Sequence, residues 1–358
     1  MYRRYVERLT DIAIGAFLWS FRVAVIGVVV IGSVVTLVEG VYAPAAWISF
    51  IVAGLTLGSV YAMVALGYTM VYGILRMINF AHGEVFMAGA FAGYFTATAL
   101  SGAGFLNASP ISSVVSIVAM MLVAMAVSVT IAVLLERLAY RPLRNAPRLV
   151  PLISAIGASF FLQYTFRGLF GSRVYSYPSV SLLNQQLELG FARIRFVEVL
   201  VIVSAIVMMG ILYLFVMRTR VGTAIRAVSE DKATAALMGI DVNRSIVTTF
   251  ALGAAMAGAG GVLYALLFRQ VDFFTGFIPG LKAFTAAVLG GIGNVPGAML
   301  GGLFLGEVEA VGPTLFFQGI GVPSVNQLKD VIAFTMLVLV LIFRPSGILG
   351  EKLARQRA

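Results

Sequence analysis

The sequence predicts an all-α protein, a polytopic transmembrane bundle with about nine to ten membrane segments. The first observation is composition: 60% of the 358 residues are hydrophobic and 11% are charged, whereas about a quarter of the residues of a typical soluble domain are charged. The second is that the apolar residues fall in long runs, and a run of about 20 residues crosses the roughly 30 Å hydrocarbon layer of a bilayer. Both observations indicate an integral membrane protein.

The apolar runs predict the individual spans. The first predicts an uncleaved span over 21–38, with 12–20 as an interfacial approach, because the run is too long for a signal peptide and lacks a suitable cleavage site. The chain is expected to divide into an N-terminal extension (1–48), a transmembrane domain (49–350) and a basic tail (351–358). The remaining segments are expected at 47–75, 85–100, 111–135, 149–170, 196–217, 245–268, 281–311 and 327–343.

Composition and motifs exclude several functions. The chain has no cysteine and one histidine, which excludes disulfides, thiolate metal sites and His-rich metal sites. Its formal charge of +10 comes from Lys and Arg clustered between apolar runs, as in juxtamembrane segments, so nucleic acid is not expected as a partner. Neither a G-x(4)-G-K-[ST] phosphate loop nor an H-E-x-x-H motif occurs. No catalytic residue, metal or cofactor is therefore expected on this chain.

The positions of Lys and Arg predict the orientation, because cytoplasmic loops carry an excess of these residues. Residues 136–148, residues 218–244 and the tail after Phe343 are basic, so they are expected inside, as are both termini. The loops 39–46 and 101–110 contain no Lys or Arg and are expected outside. The segment between the fifth and sixth spans carries three arginines, yet alternation of the spans places it outside as well.

If successive spans alternate in direction across the membrane, one segment, 281–311, has to enter the membrane and return to the side from which it came. Its two halves flank the Gly- and Pro-rich residues 289–297, and at 1.5 Å per residue each half reaches only about 18–22 Å. Neither half is expected to span comfortably, so the segment is either a broken pair of helices or a re-entrant hairpin. Irregular backbone at this depth is tolerated only where it is buried in protein or lines a water-filled cavity.

A second interruption, at 67–84, suggests an internal repeat around a transport pathway, with one Gly- and polar-interrupted segment in each half. Ionisable groups near the membrane interior are usually functional. Simpler alternatives remain open: Arg76 and Glu84 could pair at the cytoplasmic interface, and Asn294 could take the left-handed conformation in a tight turn. The candidate pathway residues are Asn79, His82, Gly83, Glu84, Gly290, Gly291, Gly293 and Asn294.

The most polar stretch, 218–244, is expected to contain a short amphipathic helix. Ser229 is a good N-cap candidate, and Glu230 and Asp231 then fall in the first turn, where negative charge favours the helix dipole. Gly239 is well placed to end the helix. So short a helix is unstable alone in water, so it needs a groove on its own bundle or on a partner. An ordinary amphipathic connector is the alternative.

Five motifs together resemble a known family over about residues 49–350. The chain is similar to the inner-membrane permeases of bacterial branched-chain amino-acid ABC transporters, on the high-affinity uptake side. Permeases for urea, short amides and aromatic acids belong to the same family. The first 48 residues or so have no counterpart in its short form. The motifs are NFAHGE (79–84), LERLAYRPLR (135–144), RAVSEDKATAALMGID (226–241), LKAFTAAVLGGIGNVPGAMLGG (281–302) and FRPSGILG (343–350).

The resemblance implies a transport subunit of an importer, rather than an enzyme, that moves a small polar solute by alternating access. A branched-chain amino acid is the expected solute. The implied partners are a periplasmic solute-binding protein, a paralogous second permease or a second copy of this chain, and two cytoplasmic subunits that bind ATP and Mg. The resemblance assigns Glu230, Asp231, Ala235 and Gly239 to coupling with those ATPase subunits.

Two alternatives stay open. A urea, short-amide or aromatic-acid importer would use the same architecture with another solute. A stand-alone ion-coupled secondary transporter or channel would instead use His82, Glu84 and Asp272 as ion-linked groups.

Overall fold

The computed structural model describes residues 2–144, 146–147, 149–189, 192–344 and 346–350. The basic tail expected at 351–358 lies outside the described residues. Within these described ranges, four short strands accompany the helices: β1 (Tyr175–Ser176) pairs with β4 (Gln270–Val271), and β2 (Gln186–Leu189) pairs with β3 (Ala192–Arg195), both antiparallel. The helices are α1 (Tyr2–Val38), α2 (Pro44–Leu75), α3 (His82–Gly102), α4 (Pro110–Leu135), α5 (Leu149–Phe170), α6 (Phe196–Arg218), α7 (Arg220–Glu230), α8 (Lys232–Leu237), α9 (Val242–Phe268), α10 (Phe277–Gly290), α11 (Val295–Phe317) and α12 (Lys329–Phe343).

The all-α polytopic fold predicted from the sequence is confirmed. Among the described residues, nine helices are long and apolar enough to cross a membrane, and α10 is a shorter apolar helix. Helices α2 to α6, α9 and α12 match their expected segments to within a few residues. Helix α1 is continuous from Tyr2 to Val38, so the expected interfacial approach over 12–20 and the expected span over 21–38 lie in one helix.

The helix ends follow local sequence. Proline begins α2 and α4, where its missing N–H costs nothing. Ser109 and Ser112 form a capping box at the start of α4, and Asn294 caps α11 by accepting a hydrogen bond from the Gly297 N–H. These caps define the loops between spans.

Small residues allow the inner helices to approach closely. A Cβ on Gly253 of α9 would lie 2.9 Å from the Cα of Gly67 in α2, and one on Gly58 would lie 2.8 Å from the Cα of Leu303 in α11. Small residues at crossings are the usual basis of packing between membrane helices. The inner layer consists of α2, α3, α4, α9 and α11, while α1, α5 and α12 are largely exposed.

The N-terminal helix α1 packs against α11. The Thr36 hydroxyl accepts a hydrogen bond from the Gly319 N–H at 2.9 Å, and Gly32 lies against the backbone of Phe316. The Arg22 guanidinium carbon lies 3.8 Å from the centre of the Phe343 ring in α12, a cation–π contact. The extension is therefore an added outer helix of the same bundle.

The chain contains an internal repeat. RMINFAHG (76–83), between α2 and α3, matches RQVDFFTG (269–276), between α9 and α10. Arg76 and Arg269 end α2 and α9 in nearly the same left-handed conformation, with φ of 54° and 56°. Helix α3 packs on α9 while α10 packs on α2, and a Cβ on Gly83 would lie 2.6 Å from the Gly276 carbonyl oxygen. This reciprocal packing is that of two repeats related by an approximate two-fold axis between Gly83 and Gly276.

The counterpart of 67–84 is therefore 269–276, and not the Gly-rich segment 289–297 that the sequence singled out. The prediction relied on a high content of glycine, whereas the two matching segments share only one glycine, together with one arginine and an Asn/Asp-Phe pair. The expected break in 281–311 is confirmed, since α10 ends at Gly290 and α11 begins at Val295. Only α10, about 21 Å long, is short. The expectation that neither half spans is wrong for α11, which continues past Pro313 to Phe317.

Candidate functional site

The first part of α3 lies inside the bundle. Helix α2 ends and α9 begins on one face, called here the basic face, which also carries α7 and α8. A Cβ on Gly67 would meet His82 Nε2, and Gly67 is about 12 Å of helix from the end of α2. Gly67 also touches Gly253, which is about 16 Å from the start of α9. His82 therefore lies well below the basic face.

A cavity of about 250 Å³ lies beside the two-fold axis, where α3 and α10 begin. Its walls come from α2, α3, α5 and α10 and from the two loops that precede α3 and α10. Three of its lining residues are glycines, at which α3 and α10 approach each other too closely for a side chain. The lining residues are Tyr68, Phe80, Gly83, Glu84, Ile156, Ser159, Phe160, Gly276, Phe277, Gly280 and Leu281.

Glu84 is the ionisable residue of this cavity. Its side chain is only 1% exposed, and Oε1 accepts a hydrogen bond from the Ser159 hydroxyl at 3.3 Å. The other oxygen, Oε2, has no hydrogen-bond partner among the described residues. Arg76 donates to the Ser229 carbonyl at 3.4 Å instead, so the pairing of Arg76 with Glu84 at an interface is wrong. Glu84 therefore brings a buried carboxylate to the wall of the cavity.

Asn79 and His82 have other surroundings. Asn79 Oδ1 accepts a hydrogen bond from the Tyr140 hydroxyl at 2.6 Å, which ties the loop before α3 to the π-helical turn Glu136–Tyr140. The His82 ring packs edge-on to Tyr68, with ring centres 4.9 Å apart, and neither Asn79 nor His82 lines the cavity. Of the four candidates in this motif, Gly83 and Glu84 therefore reach it.

The second group of pathway candidates, Gly290 to Asn294, lies apart from the cavity. About 15 Å of α10 separates Gly280 at the cavity from Gly290. Gly291 and Gly293 take positive φ values of 107° and 97°, which glycine permits. Asn294 has φ −99° and caps α11, so a left-handed asparagine is wrong. Its Nδ2 donates to the Leu349 carbonyl at 2.9 Å, which fastens the end of the described chain to this turn.

The predicted helix in the polar stretch is present but begins later. Asp231, rather than Ser229, caps α8 by accepting hydrogen bonds from the N–H groups of Ala233 and Thr234. Hydrogen bonds from Thr234, above all from its hydroxyl, hold the pKa of the Asp231 carboxyl below its usual value. The Ser229 hydroxyl instead donates to the carbonyl of Arg226 one turn earlier, so Ser229 and Glu230 belong to α7. As predicted, Gly239 ends the helix, with φ 81°.

Helix α8 presents two large apolar side chains to the outside. Leu237 is 88% exposed and Met238 is 78% exposed, whereas Ala235 is buried. Ala235 packs in a cluster on the basic face that holds α7 and α8 against the bundle. The buried members of this cluster are Val71, Ile74, Tyr140, Ala155, Ile225, Val228, Ala235, Ile246 and Phe250.

Charged side chains fasten the same segment. The buried carboxylate of Glu136 pairs with Arg141 at 3.0 Å and also with Arg144, and Arg144 donates to Asn243 Oδ1 at 2.5 Å. Partial burial, followed by the nearby charges of Arg144 and Arg76, lowers the pKa of Lys232. Two basic side chains of this face, Arg144 and Arg76, therefore lie close to α8.

One buried cluster was missed by the sequence analysis. Lys282 Nζ of α10 lies 2.7 Å from Glu309 Oε1 of α11 and 2.6 Å from Asp330 Oδ1 of α12. The Tyr61 hydroxyl donates to the same Glu309 oxygen at 3.3 Å. A lysine and a glutamate inside two apolar helices were the available signal, because such residues are rare in membrane spans. The cluster joins the short helix α10 to its two neighbours.

The remaining candidate, Asp272, lies in the loop before α10. Asp272 Oδ1 accepts hydrogen bonds from the Phe274 N–H at 2.9 Å and from the Thr275 hydroxyl at 2.8 Å. It stabilises the loop before α10 and does not line the cavity. Within the described ranges, no group of three or more His, Cys, Asp or Glu side chains could hold a metal ion.

Comparison with known proteins identifies the family. Residues 50–341 match the family model described as branched-chain amino acid transport system / permease component. The chain is 44% identical to the high-affinity branched-chain amino acid transport system permease protein BraD of Pseudomonas aeruginosa, over 84% of this chain and 95% of BraD. It is 43% identical to the permease protein LivH of the same kind of system in Escherichia coli, over 83% and 94%.

A more distant relative is the probable branched-chain amino acid transport permease protein LivH of Methanocaldococcus jannaschii, 27% identical over 80% of this chain and 88% of that protein. No solved structure matches the chain significantly. The matches span nearly the whole length of the bacterial relatives, and the described helices are those of a multi-pass membrane protein. The chain belongs to the branched-chain amino acid transport permease family, whose members are transport components rather than enzymes.

Proposed function

We propose that this chain is the transmembrane permease subunit of an ATP-driven importer of branched-chain amino acids. The observation that carries the proposal is its 44% identity to a high-affinity branched-chain amino acid permease over 95% of that relative. An importer for urea, short amides or aromatic acids would keep the same fold, so the solute is tested directly below.

The proposed assembly places the basic face in the cytoplasm of a bacterial inner membrane, with both termini on that side, as the bias of Lys and Arg supports. Two ATPase subunits, which bind ATP and Mg, dock on this face. A periplasmic solute-binding protein docks on the opposite face, and a second permease or a second copy of this chain completes the pathway. ATP binding then biases the complex between inward-open and outward-open states.

The coupling contact is proposed to centre on α8. The exposed side chains Leu237 and Met238 are apolar, and apolar side chains that anchor a short helix usually fill a groove on the partner. Glu230 and Gly239 flank them and are exposed. Asp231 and Ala235 act differently: Asp231 caps the helix and Ala235 packs it on the bundle.

Contiguous contacts support a route from α8 to the cavity. Ala235 and Tyr140 share the apolar cluster of the basic face. The Tyr140 hydroxyl binds Asn79, and the loop that holds Asn79 leads directly into Gly83 and Glu84. A displacement of α8 by the ATPases would therefore act on the loop that ends at the cavity.

The test changes the apolar tip of α8. The double variant Leu237→Asp, Met238→Asp is expected to lose the stimulation of ATPase activity by the loaded binding protein in the reconstituted complex, because two charges replace the docking side chains. The control is Leu138→Asp, which changes another exposed leucine of the basic face outside α8. Membrane insertion of both variants should be normal. Full stimulation of the double variant would contradict the coupling assignment.

A further inference from the structure

We propose that the periplasmic solute-binding protein docks an acidic side chain in a second cavity, on the face opposite the basic face, and that Arg269 binds its carboxylate. This cavity of about 340 Å³ lies beside the end of α9. The inference rests on the proposed function, because it concerns where and through which chemistry the binding protein of that assembly docks.

The course of the helices places the cavity on the outer face. Helix α9 begins on the basic face and, with 27 residues, is about 40 Å long, which is enough to cross a bilayer. Helix α6 begins at the cavity and ends at Arg218, directly before α7 on the basic face. Four buried apolar residues form the floor of the cavity. They are Val180, Leu183, Val197 and Leu266.

Arginine on this face needs a reason, because Lys and Arg favour the cytoplasmic side. Two arginines near the cavity have partners, since Arg193 pairs with Glu188 and Arg195 pairs with Glu198. Arg269 lines the cavity, is exposed, and makes no ion pair with the described residues. A guanidinium without a counter-charge, beside an apolar floor, is complementary to a protein side chain that carries a carboxylate.

The Arg269 side chain is held in position for such a contact. Arg269 ends α9 with φ of 56°, and its carbonyl accepts a hydrogen bond from the Tyr177 N–H at 2.9 Å. Its Nη2 donates to Asn184 Oδ1. A guanidinium carries five N–H donors in a planar fork, so donors remain for a bidentate contact with a carboxylate.

The loop on the other side of the cavity is fixed as well. Asn107 Nδ2 donates to the Ser179 carbonyl at 3.0 Å, and Asn107 Oδ1 accepts a hydrogen bond from the Ser181 N–H at 2.8 Å. A site that is ordered before binding loses little conformational entropy when its partner docks. The cavity is therefore preformed for a protruding side chain.

The internal repeat gives Arg269 a counterpart on the basic face. Arg269 matches Arg76, which donates to the Ser229 carbonyl in α7, directly before the proposed coupling helix α8. Each arginine begins a loop that leads to the two-fold axis, at Gly83 in one repeat and at Gly276 in the other. A binding protein that engages Arg269 would therefore act on the loop before α10, as the ATPases would act on the loop before α3.

The test measures the affinity of the L-leucine-loaded binding protein for the assembled complex in phosphatidylcholine nanodiscs, by biolayer interferometry. Arg269→Gln is expected to raise the dissociation constant by about 10-fold, the loss expected for a hydrogen bond between charged groups. Added salt should reduce this difference, because it screens charge. Arg269→Lys keeps the charge without the fork and should lose less affinity. The matched control Arg193→Gln, on the same face outside the cavity, should bind normally.

A second variant tests the cavity without a change of charge. Gln186→Trp places a large side chain at the cavity wall and should also weaken binding, and it decides the question if Arg269→Gln does not assemble. Unchanged affinity of either variant, or an equal loss in Arg193→Gln, overturns the inference. A loss that appears only with anionic phosphatidylglycerol in the nanodiscs also overturns it, because the cavity would then bind lipid headgroups. Such results in a complex that imports leucine leave the proposed function intact, whereas a complex that does not import leucine overturns the proposed function.

Discussion

The buried cluster around Lys282 provides a quantitative prediction. Lys282 and Glu309 are 7% and 4% exposed, and Asp330, the third member, is half exposed. Lys282→Met would leave the Glu309 carboxylate buried with only the Tyr61 hydroxyl. Removing one partner of a buried ion pair costs about 3–5 kcal/mol. Glu309→Gln is milder, about 1.5–3 kcal/mol, because Lys282 keeps Asp330 as a partner.

The double variant separates the stabilisation by the ion pair from the destabilisation that each substitution causes by itself. Once Glu309 is a neutral glutamine, loss of the lysine leaves no buried charge, so Lys282→Met with Glu309→Gln should be less destabilised than the sum of the single variants by about 2 kcal/mol or more.

The assay is thermal unfolding of the purified complex in detergent. At about 2 °C per kcal/mol, the value for larger domains, Lys282→Met should lower the unfolding midpoint by about 6–10 °C. Glu307→Gln, in the same helix, makes no ion pair with the described residues and should have little effect. Strictly additive shifts in the double variant would refute the argument, because they would mean that Lys282 and Glu309 do not stabilise each other.

Two further predictions concern the loop and helix start at the axis. Gly83→Ala should prevent assembly of a monodisperse protein on gel filtration, because its Cβ would lie 2.6 Å from the Gly276 carbonyl oxygen. The control Gly73→Ala, which has open space around it, should be tolerated. Normal assembly of Gly83→Ala would contradict the close approach of Gly83 and Gly276. Tyr140→Phe leaves Asn79 Oδ1 without its partner, which costs about 1–3 kcal/mol. It should reduce the stimulation of ATPase activity by the loaded binding protein more than the basal activity, and equal loss of both would contradict the proposed route.

Most of the helices could be predicted from the sequence, because the length of an apolar run and the polar residues at its ends are local features of the chain. Helix α5 begins and ends at the expected residues, Leu149 and Phe170, since a mostly apolar run lies between a basic segment before it and a glycine-containing segment after it. The cap of α8 was misplaced by two residues, because Ser229 and Asp231 are both good N-cap residues. Their competition is decided by Thr234, whose hydroxyl donates to Asp231.

The site was predictable only in part. Glu84 was found because a carboxylate inside an apolar region is unusual, but its partner Ser159 lies in another helix and has no local signal. The same holds for Lys282 and Glu309, whose pairing depends on how α10 packs on α11. The exposure of Leu237 also depends on tertiary packing, since burial of Ala235 turns the next residues outward. Contacts between distant segments thus account for what the sequence analysis missed.

Uptake by purified components tests the central claim most directly. Proteoliposomes would contain this chain with its second permease and ATPase subunits, together with the periplasmic binding protein and labelled L-leucine. The proposed function predicts leucine accumulation that requires ATP and the binding protein and does not respond to a proton gradient. Leucine uptake by the purified chain alone, driven by a proton gradient without ATP, would contradict it and favour the stand-alone transporter.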